Sequence, residues 1–434
     1  MKKIFIISFR MCLLIGLANV SFALITNAQE NYQDTIQLPL QKAEDKFIKE
    51  NLHLIASRFN INASEASIIQ ARLWNNPNLS IEQNIYNQYT KKVLDFTSSG
   101  NTGIQLQQLI VLAGKRDKQI QLASINKKIA EYNFENVLRD LKYELRTDFY
   151  DLFFLQQTLK FYNRSIPSVE KAIGAVEGVY SKRSILLSEI LRLKSLLFTL
   201  ENERLEIVNH VSELENDLHV LMNDSEYHHN YYEPEINVSK IEAVDPSKLD
   251  QDEVEKIALE NRPDYKITIA TIHSEETNLK LQESLAIPDV TIGGLWSRQG
   301  SYIPNYYALT FSVDLPIFNR NQGNIQVSEF NLQADMQIKN DAALKVERDV
   351  NDAYNKAIQT DKFYKSFDKT FTSQYQNLVD GMISNYQKRY ITIIEFTDFY
   401  ESYRNSVIQL NELRNNRIDA FESLNYQAGT DIIK

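Results

Sequence analysis

What most restricts the fold of this chain is a β-hairpin pattern set into otherwise helical sequence. In Ile287 to Gly323, IPDVTIGGLWSRQGSYIPNYYALTFSVDLPIFNRNQG, apolar residues occupy alternate positions: Tyr307, Leu309, Phe311, Val313 and Leu315. Ala308, Thr310, Ser312 and Asp314 lie between them, and a period of two puts the two sets on opposite faces of a strand. In the strand before it, Val290, Ile292 and Trp296 share one face, with Gly294 between them, and Thr291, Gly293 and Ser297 share the other. Pro288, Pro304 and Pro316 mark the start, turn and end of the pair. The pattern occurs twice. In NLSIEQNIYNQY the residues Leu79, Ile81, Ile85 and Tyr89 fall on one face, and after a polar loop GIQLQQLIVL returns with Ile104, Leu106, Ile110 and Leu112. One such hairpin alone fits a soluble core equally well; two of them favour a membrane sheet.

The remaining sequence is short of helix breakers. Of twelve glycines, seven lie between 100 and 114 or between 293 and 323. Leu40–Arg58 and Asn62–Asn75 read as helices, the second stopped by Pro77. From Gly114 to about Ser181 apolar residues recur at spacings of three and four, including Leu138, Leu141, Leu145, Leu152, Leu155 and Leu159. This stripe approaches coiled-coil geometry and would span roughly 100 Å at ~1.5 Å per residue, with a possible kink at Pro167. A second helical run, Leu187–Met222, turns back. Residues 223–262, with Pro234 and Pro246, read as a linker or equatorial segment of short elements.

Beyond the linker the plan repeats: a helix over Asp264–Ala286, the hairpin, a helix from Asn324 to about Tyr386, and a return over Ile394–Tyr426. Glu50-Asn51 matches Glu260-Asn261 at an offset of 210, PNLSI matches PDVTI at 211, and Tyr180-x-x-Arg183-x-Ile185 matches Tyr386-x-x-Arg389-x-Ile391 at 206. Three near-equal offsets in one order indicate a duplication. The expected divisions are a leader over 1–28, a first repeat over 29–222 (hairpin about 78–112, long helices 114–222), the segment 223–262, and a second repeat over 263–434 (hairpin about 289–317, long helices 324–426).

Residues 1–28 have the form of a secretory signal: Lys2, Lys3 and Arg10, an apolar run over Cys12–Ala18, and a small-residue site at Thr26-Asn27-Ala28, with cleavage after Ala23 as the alternative. Arg10 interrupts the run and leaves it short of the ~20 residues a span requires. Cys12 is the single cysteine and leaves with the signal, so neither a disulfide nor a cysteine metal site is expected in the mature chain. Loss of the three cations takes the net charge from −10 to −13. An exported acidic chain without a basic cluster is a poor nucleic-acid binder.

Taken together, these features resemble the TolC-like outer-membrane efflux protein family over essentially the whole mature length. The resemblance rests on NNPNL before the first strand with its echo IPDV, on LIVLAGKR entering a long helix with its counterpart LPIFNRNQGNIQ, and on the paired Tyr-x-x-Arg-x-Ile segments followed by Glu189 or Glu395. Gly114-Lys115-Arg116 is similar to the heavy-metal efflux branch. The fold this implies is mostly α with membrane β: a tandem-repeat TolC-like fold whose coiled-coil helical hairpins form a trimeric periplasmic tunnel, with four strands per subunit in a shared twelve-stranded outer-membrane barrel. The implied function is a passive exit duct in the outer membrane, with a large periplasmic extension, for a tripartite efflux system. The implied partners are two further copies, a periplasmic adaptor (membrane fusion protein), an RND-type inner-membrane transporter and outer-membrane lipid. Neither enzymatic activity nor a cofactor is implied.

Residue roles carried by the resemblance are expectations. Lipid would meet Ile81, Ile85, Leu106, Ile110, Val290, Ile292, Leu309, Phe311 and Val313, and water would meet Ser80, Glu82, Gln107, Thr310, Ser312 and Asp314. The distal turns at Lys182–Leu187 and Lys388–Ile393, with Tyr180, Arg183, Ile185, Tyr386, Arg389 and Ile391, would dock the adaptor. Glu395 and Asp398, three apart and so on one helix face, would form stacked acidic rings at the pore entrance; Glu189 has Arg192 at the same spacing. The chain departs from the family at Arg183 and Arg389, where glycine is usual, and at Ile391, where some members carry an arginine that helps latch the entrance. Many relatives are lipid-anchored, which Arg10, two positions before Cys12, argues against here.

Of the six histidines, His228-His229 sits in a polar segment without a spaced third ligand, and His210 and His219 are nine apart. Nucleophile elbows, phosphate loops and H-E-x-x-H are absent from the sequence. The alternatives are a duct for type I protein secretion and a wholly periplasmic coiled-coil scaffold.

Overall fold

The computed structural model describes residues 34–180, 186–225, 230–300, 302–367, 378, 381–382, 384–386 and 388–433. Residues 1–33, with the expected leader, as well as His228-His229, Arg183 and Ile185, lie outside the described residues, as does the side chain of Tyr180.

The chain opens with β1 (Asp34–Pro39), α1 (Leu40–Glu50) and α2 (Leu52–Arg72). Strands β2 (Asn78–Gln83), β3 (Tyr86–Asn87), β4 (Lys92–Val93) and β5 (Asn101–Ile110) follow. Next are the long helices α3 (Lys115–Tyr180) and α4 (Leu187–Leu221). The middle segment folds into β6 (Asn230–Glu235), α5 (Val238–Glu242), a 3-10 turn (Pro246–Lys248) and α6 (Gln251–Asn261). The second half contains α7 (Pro263–Leu285), β7 (Val290–Gln299), β8 (Ile303–Val313), α8 (Gln322–Ser366) and α9 (Ile393–Ala428).

Four strands form one sheet in the order β2-β5-β7-β8, all antiparallel. At one end of the sheet each strand joins a helix: α2 enters β2, β5 leads into α3, α7 enters β7 and β8 leads into α8. The helices pack in the matching order α2-α3-α7-α8, with α4 against α3 and α9 against α8 and α3. β1 pairs with β6 in parallel at the middle of the molecule.

At 66 residues, α3 is about 100 Å long. It passes through Pro167 without ending, although an interior proline forfeits one backbone bond and costs ~3 kcal/mol. Sequence alone joins Leu40 to Arg58 in one helix. The structure instead breaks that run at Asn51, whose side chain caps α2 by accepting from the Leu54 N–H (3.0 Å). The expected helix from Asn324 to Tyr386 likewise stops at Ser366, where Phe367 turns extended. Pro304 lies near the start of β8 rather than in the turn, which an edge strand tolerates.

Three apolar clusters hold the helices together. Phe47, Leu54, Leu145, Phe149 and Leu218 fill the middle. Tyr162, Leu193, Leu200, Phe396 and Tyr400 fill the distal part. Val254, Val346, Val350, Phe421 and Leu424 join α6, α8 and α9. Among the described residues no helix is long and apolar enough to cross a membrane, a test that does not bear on strands.

Candidate functional site

The register of the sheet sorts its residues into two chemically different faces. Leu79 pairs with Leu106 and Ile81 with Ile104; Ile104 pairs with Trp296 and Ile110 with Val290. Val290 pairs with Val313, Ile292 with Phe311, Gly294 with Leu309 and Trp296 with Tyr307. Paired residues share a face, so one continuous apolar surface crosses four strands. It holds Ile81, Leu106, Ile110, Val290, Ile292, Leu309, Phe311 and Val313, and Leu309 is 92% exposed. Ile85 lies past the end of β2, outside this sheet. Gln108 is the polar intruder, and its amide donates to Asn75 O (2.9 Å).

The other face carries Ser80, Glu82, Gln105, Gln107, Thr291, Thr310 and Ser312, with Asp314 just past β8 and Leu109 and Leu295 as apolar exceptions. Gln105 Nε2 donates to Thr310 Oγ1 (3.4 Å). Gly293 is the close-approach position: a Cβ there would meet Thr310 Oγ1 at 2.7 Å and Gln107 Cγ and Leu106 O at 2.8 Å.

Where sheet becomes helix, Ala113 and Gly114 take left-handed conformations (φ 57° and 67°) and turn β5 into α3. Lys115, 4% exposed, reaches across to the second repeat: Nζ donates to Asp289 Oδ1 (2.7 Å) and Ile287 O (2.6 Å). Arg116 donates to Arg72 O and lies over the Trp74 ring (4.3 Å). The Gly-Lys-Arg element thus fastens the two hairpins to the helices.

At the distal turn of the second repeat, Arg389 adopts φ 61°. The Tyr390 N–H bonds Asn385 O and the Arg389 N–H bonds Tyr386 O (both 2.9 Å), closing a Schellman motif with Arg389 at the glycine position. Tyr386 belongs to the expected docking set, yet it is 6% exposed and stacked on Phe396 (5.1 Å). It supports the turn from beneath, and burial, with the Glu189 charge nearby, pushes its hydroxyl up to about 12. Ile391, of the same expected docking set, is half-buried against the same cluster.

Thr392 and Glu395 then form a capping box. The Thr392 N–H donates to Glu395 Oε2 (2.7 Å), and the Glu395 N–H donates to Thr392 Oγ1 (3.2 Å). The backbone N–H of Thr392, then its hydroxyl, hold the Glu395 carboxyl below the usual range. Glu395 and Asp398 are both exposed, on the side of α9 away from buried Phe396 and Tyr400. The first repeat lacks this cap, because Leu186 stands where Thr392 does.

Sequence reasoning missed a polar seam within the helical body. Glu144, Asp148 and Asp151 are spaced four and three on α3; Asp148 lies near Asp217 of α4, and Asp151 lies near Asp419 of α9 and accepts from Asn415. Burial, then the Asp151 charge, push Asp419 up to about 7. Burial, then Glu144, Asp217 and Asp151, push Asp148 up to about 7. Beside them, Arg146 donates to Glu44 (2.6 Å), Glu422 (2.9 Å) and Asp431 (3.0 Å). The spacing of the acids was legible as a helix face, but the half-burial of Asp148 and the contact of Asp151 with α9 were not. His219, dismissed by its sequence spacing, is buried with its ring 4.4 Å from that of Tyr232. Among the described residues no group of three His, Cys, Asp or Glu is arranged to hold a metal ion.

Residues 45–182 match the outer membrane efflux protein family, a family of transport channels. The chain is 23% identical over 294 residues to the cobalt-zinc-cadmium resistance protein CzcC of Cupriavidus metallidurans, covering 66% of this chain and 65% of that one. It therefore spans just under two thirds of the length of that relative. The fold resembles that of a membrane protein from Pseudomonas aeruginosa (TM-score 0.75, 14% identity, 90% of both chains). It also resembles the outer membrane channel CmeC of Campylobacter jejuni (TM-score 0.74, 12% identity, 91% of this chain and 87% of that one). At such identities the likeness is one of fold.

Proposed function

We propose that this chain is a member of the outer membrane efflux protein family and the outer-membrane exit duct of a tripartite efflux assembly, a reading supported by the family match over residues 45–182. The observation that carries the proposal is the sheet: four strands, apolar across one face and mostly polar across the other, with β2 and β8 left as open edges. Backbone groups in lipid must all be bonded, so a sheet this small meets the requirement only by joining other copies. Three copies, β2 of each beside β8 of the next, would close a twelve-stranded barrel. The helices running on from the strands would then continue the conduit into the periplasm. The polar face would line water, and nothing in this arrangement performs chemistry on the cargo.

The distal turn carrying Arg389 and Ile391 is proposed to meet the periplasmic adaptor, with an RND-type transporter beyond it. Glu395 and Asp398 are proposed as the entrance carboxylates. Divalent heavy-metal ions are the proposed cargo, supported by the likeness to a cobalt-zinc-cadmium resistance protein. The test is to extract the protein from outer membranes, look for a heat-modifiable trimer and record conductance in planar bilayers. A deletion strain should become sensitive to cobalt, zinc or cadmium. A monomer that releases without detergent and does not conduct would refute the duct.

A further inference from the structure

We infer that the trough around Gly294 binds a phosphorylated, multiply acylated lipid of the outer leaflet, one acyl chain filling the trough and Arg298 holding a phosphate. This rests on the barrel reading above. The trough is shallow, about 500 Å³, and lined by Ile104, Leu106, Gly294, Trp296, Tyr307 and Leu309. Its floor is a glycine the fold does not require. Whereas a Cβ at Gly293 would collide with Thr310, Gln107 and Leu106, a Cβ at Gly294 would meet nothing within 4 Å. Strands disfavour glycine, and a β-branched residue at 294 would fit and close the gap.

Charge marks one end of the trough. On the same face of β7 the column runs Val290, Ile292, Gly294, Trp296, Arg298, away from the helices. Arg298 lies four residues beyond Gly294, roughly 13 Å along the strand, close to the reach from a lipid phosphate into its acyl region. Its guanidinium sits 6.0 Å from the Trp296 ring and donates through Nη2 to Phe96 O (2.8 Å). Nε is buried without a hydrogen-bond partner, and no carboxylate lies within ion-pair distance of Arg298 among the described residues. A half-buried cation with no carboxylate partner, above an open apolar trough at the sheet end remote from the helices, complements a phosphorylated lipid of the outer leaflet.

Native mass spectrometry of the purified trimer with lipid A tests this. Retention by the wild type should fall at least tenfold in Gly294→Val and in Arg298→Gln, while assembly and conductance are unchanged. Unchanged retention in either variant, no retention by the wild type, or equal retention of phosphatidylglycerol would each overturn the inference; if Gly294→Val fails to fold, Arg298→Gln still decides. Trp74 and Trp296 are the two tryptophans, so Trp74→Phe leaves Trp296 as a reporter in vesicles containing brominated acyl chains. Quenching without lipid A retention overturns the site and leaves the barrel standing. Absence of quenching overturns the barrel, and the site with it.

Discussion

Asn51 and Arg262 occupy the same joint in the two repeats, with φ/ψ of −61°/125° and −60°/120°. Each is buried, each ends one helix and begins the next, and they fill the joint with different chemistry. Asn51 accepts from the Leu54 N–H and donates to Leu221 O (2.9 Å). Arg262 instead gathers Asp264 (2.7 Å), Asp349 (3.4 Å) and Gln427 (3.0 Å), with Pro263 as the first helical residue. The duplication retained the backbone bend while the side chains diverged to hold different neighbours. The shared joint also groups α6 with the second repeat, upstream of the boundary expected at 263.

Asn51→Ala removes a cap and orphans a buried carbonyl. We expect a loss on the order of 2 kcal/mol, read as a lower thermal midpoint of the purified protein. No change would mean the bend is held by packing alone.

The two faces of β8 should respond oppositely to charge. Phe311→Arg places a cation on the apolar face, where the cost is ~2–4 kcal/mol near mid-membrane. Ser312→Arg places it on the polar face and should be tolerated; it is a cleaner control than Thr310, which packs on Gly293. The readout is the yield of assembled trimer, and equal yields would reject the assignment of faces.

Arg389 sits in a conformation that costs an L-residue ~1–2 kcal/mol. Arg389→Gly should therefore leave the thermal midpoint unchanged or raise it, and Arg389→Val, β-branched at positive φ, should lower it. The reverse order would show that the arginine's contacts outweigh the strain.

Stability should fall between about pH 4 and pH 7. Asp419 has a folded pKa of about 7 against its ordinary 3.8. Across that window the folded chain keeps a proton that the unfolded chain releases, so rising pH favours unfolding until both forms are ionised. Asp148 acts in the same direction. Asp419→Asn should raise the midpoint by a few degrees at pH 8, have little effect near pH 4, and flatten the slope. An unaltered pH profile would contradict the role of burial.

If the carboxylates of α9 face the pore, Asp398→Asn alone should weaken cation preference in a planar bilayer. Glu395→Gln keeps the capping box, since glutamine serves at that position, and so isolates charge from helix stability. The double change should abolish the preference. A channel with no cation preference at the outset would reject the entrance ring.

The hairpins and long helices were legible because their periods are local and seven of the twelve glycines fall in the hairpins and their junctions. The alternation in Tyr307–Val313 determines a face whatever its neighbours are. The helix joint was not legible. Asn60, Asn62 and Ser64 offer local signals as good as Asn51, and the deciding partner, Leu221 O, lies 170 residues away. Glu395 was read as a pore acid from its spacing to Asp398, but Thr392, at the capping-box spacing, also engages it locally. Tyr386 was placed at the surface by its motif, although its ring belongs to a core built with α9. For the helix joint and for Tyr386, a distant element decided burial, and that is what the local pattern does not carry.

The strand-to-helix junctions have a mechanical consequence. Helices α2, α3, α7 and α8 are each anchored at one end through a hydrogen-bonded sheet, and α3 alone extends about 100 Å from its anchor. A rod of that length converts one degree of rotation at its base into roughly 2 Å of travel at its tip. The Lys115–Asp289 pair sits at the base. The molecule is a set of long levers pivoted near the sheet, in which changes too small to disturb the strands sweep the far end through the width of an ion.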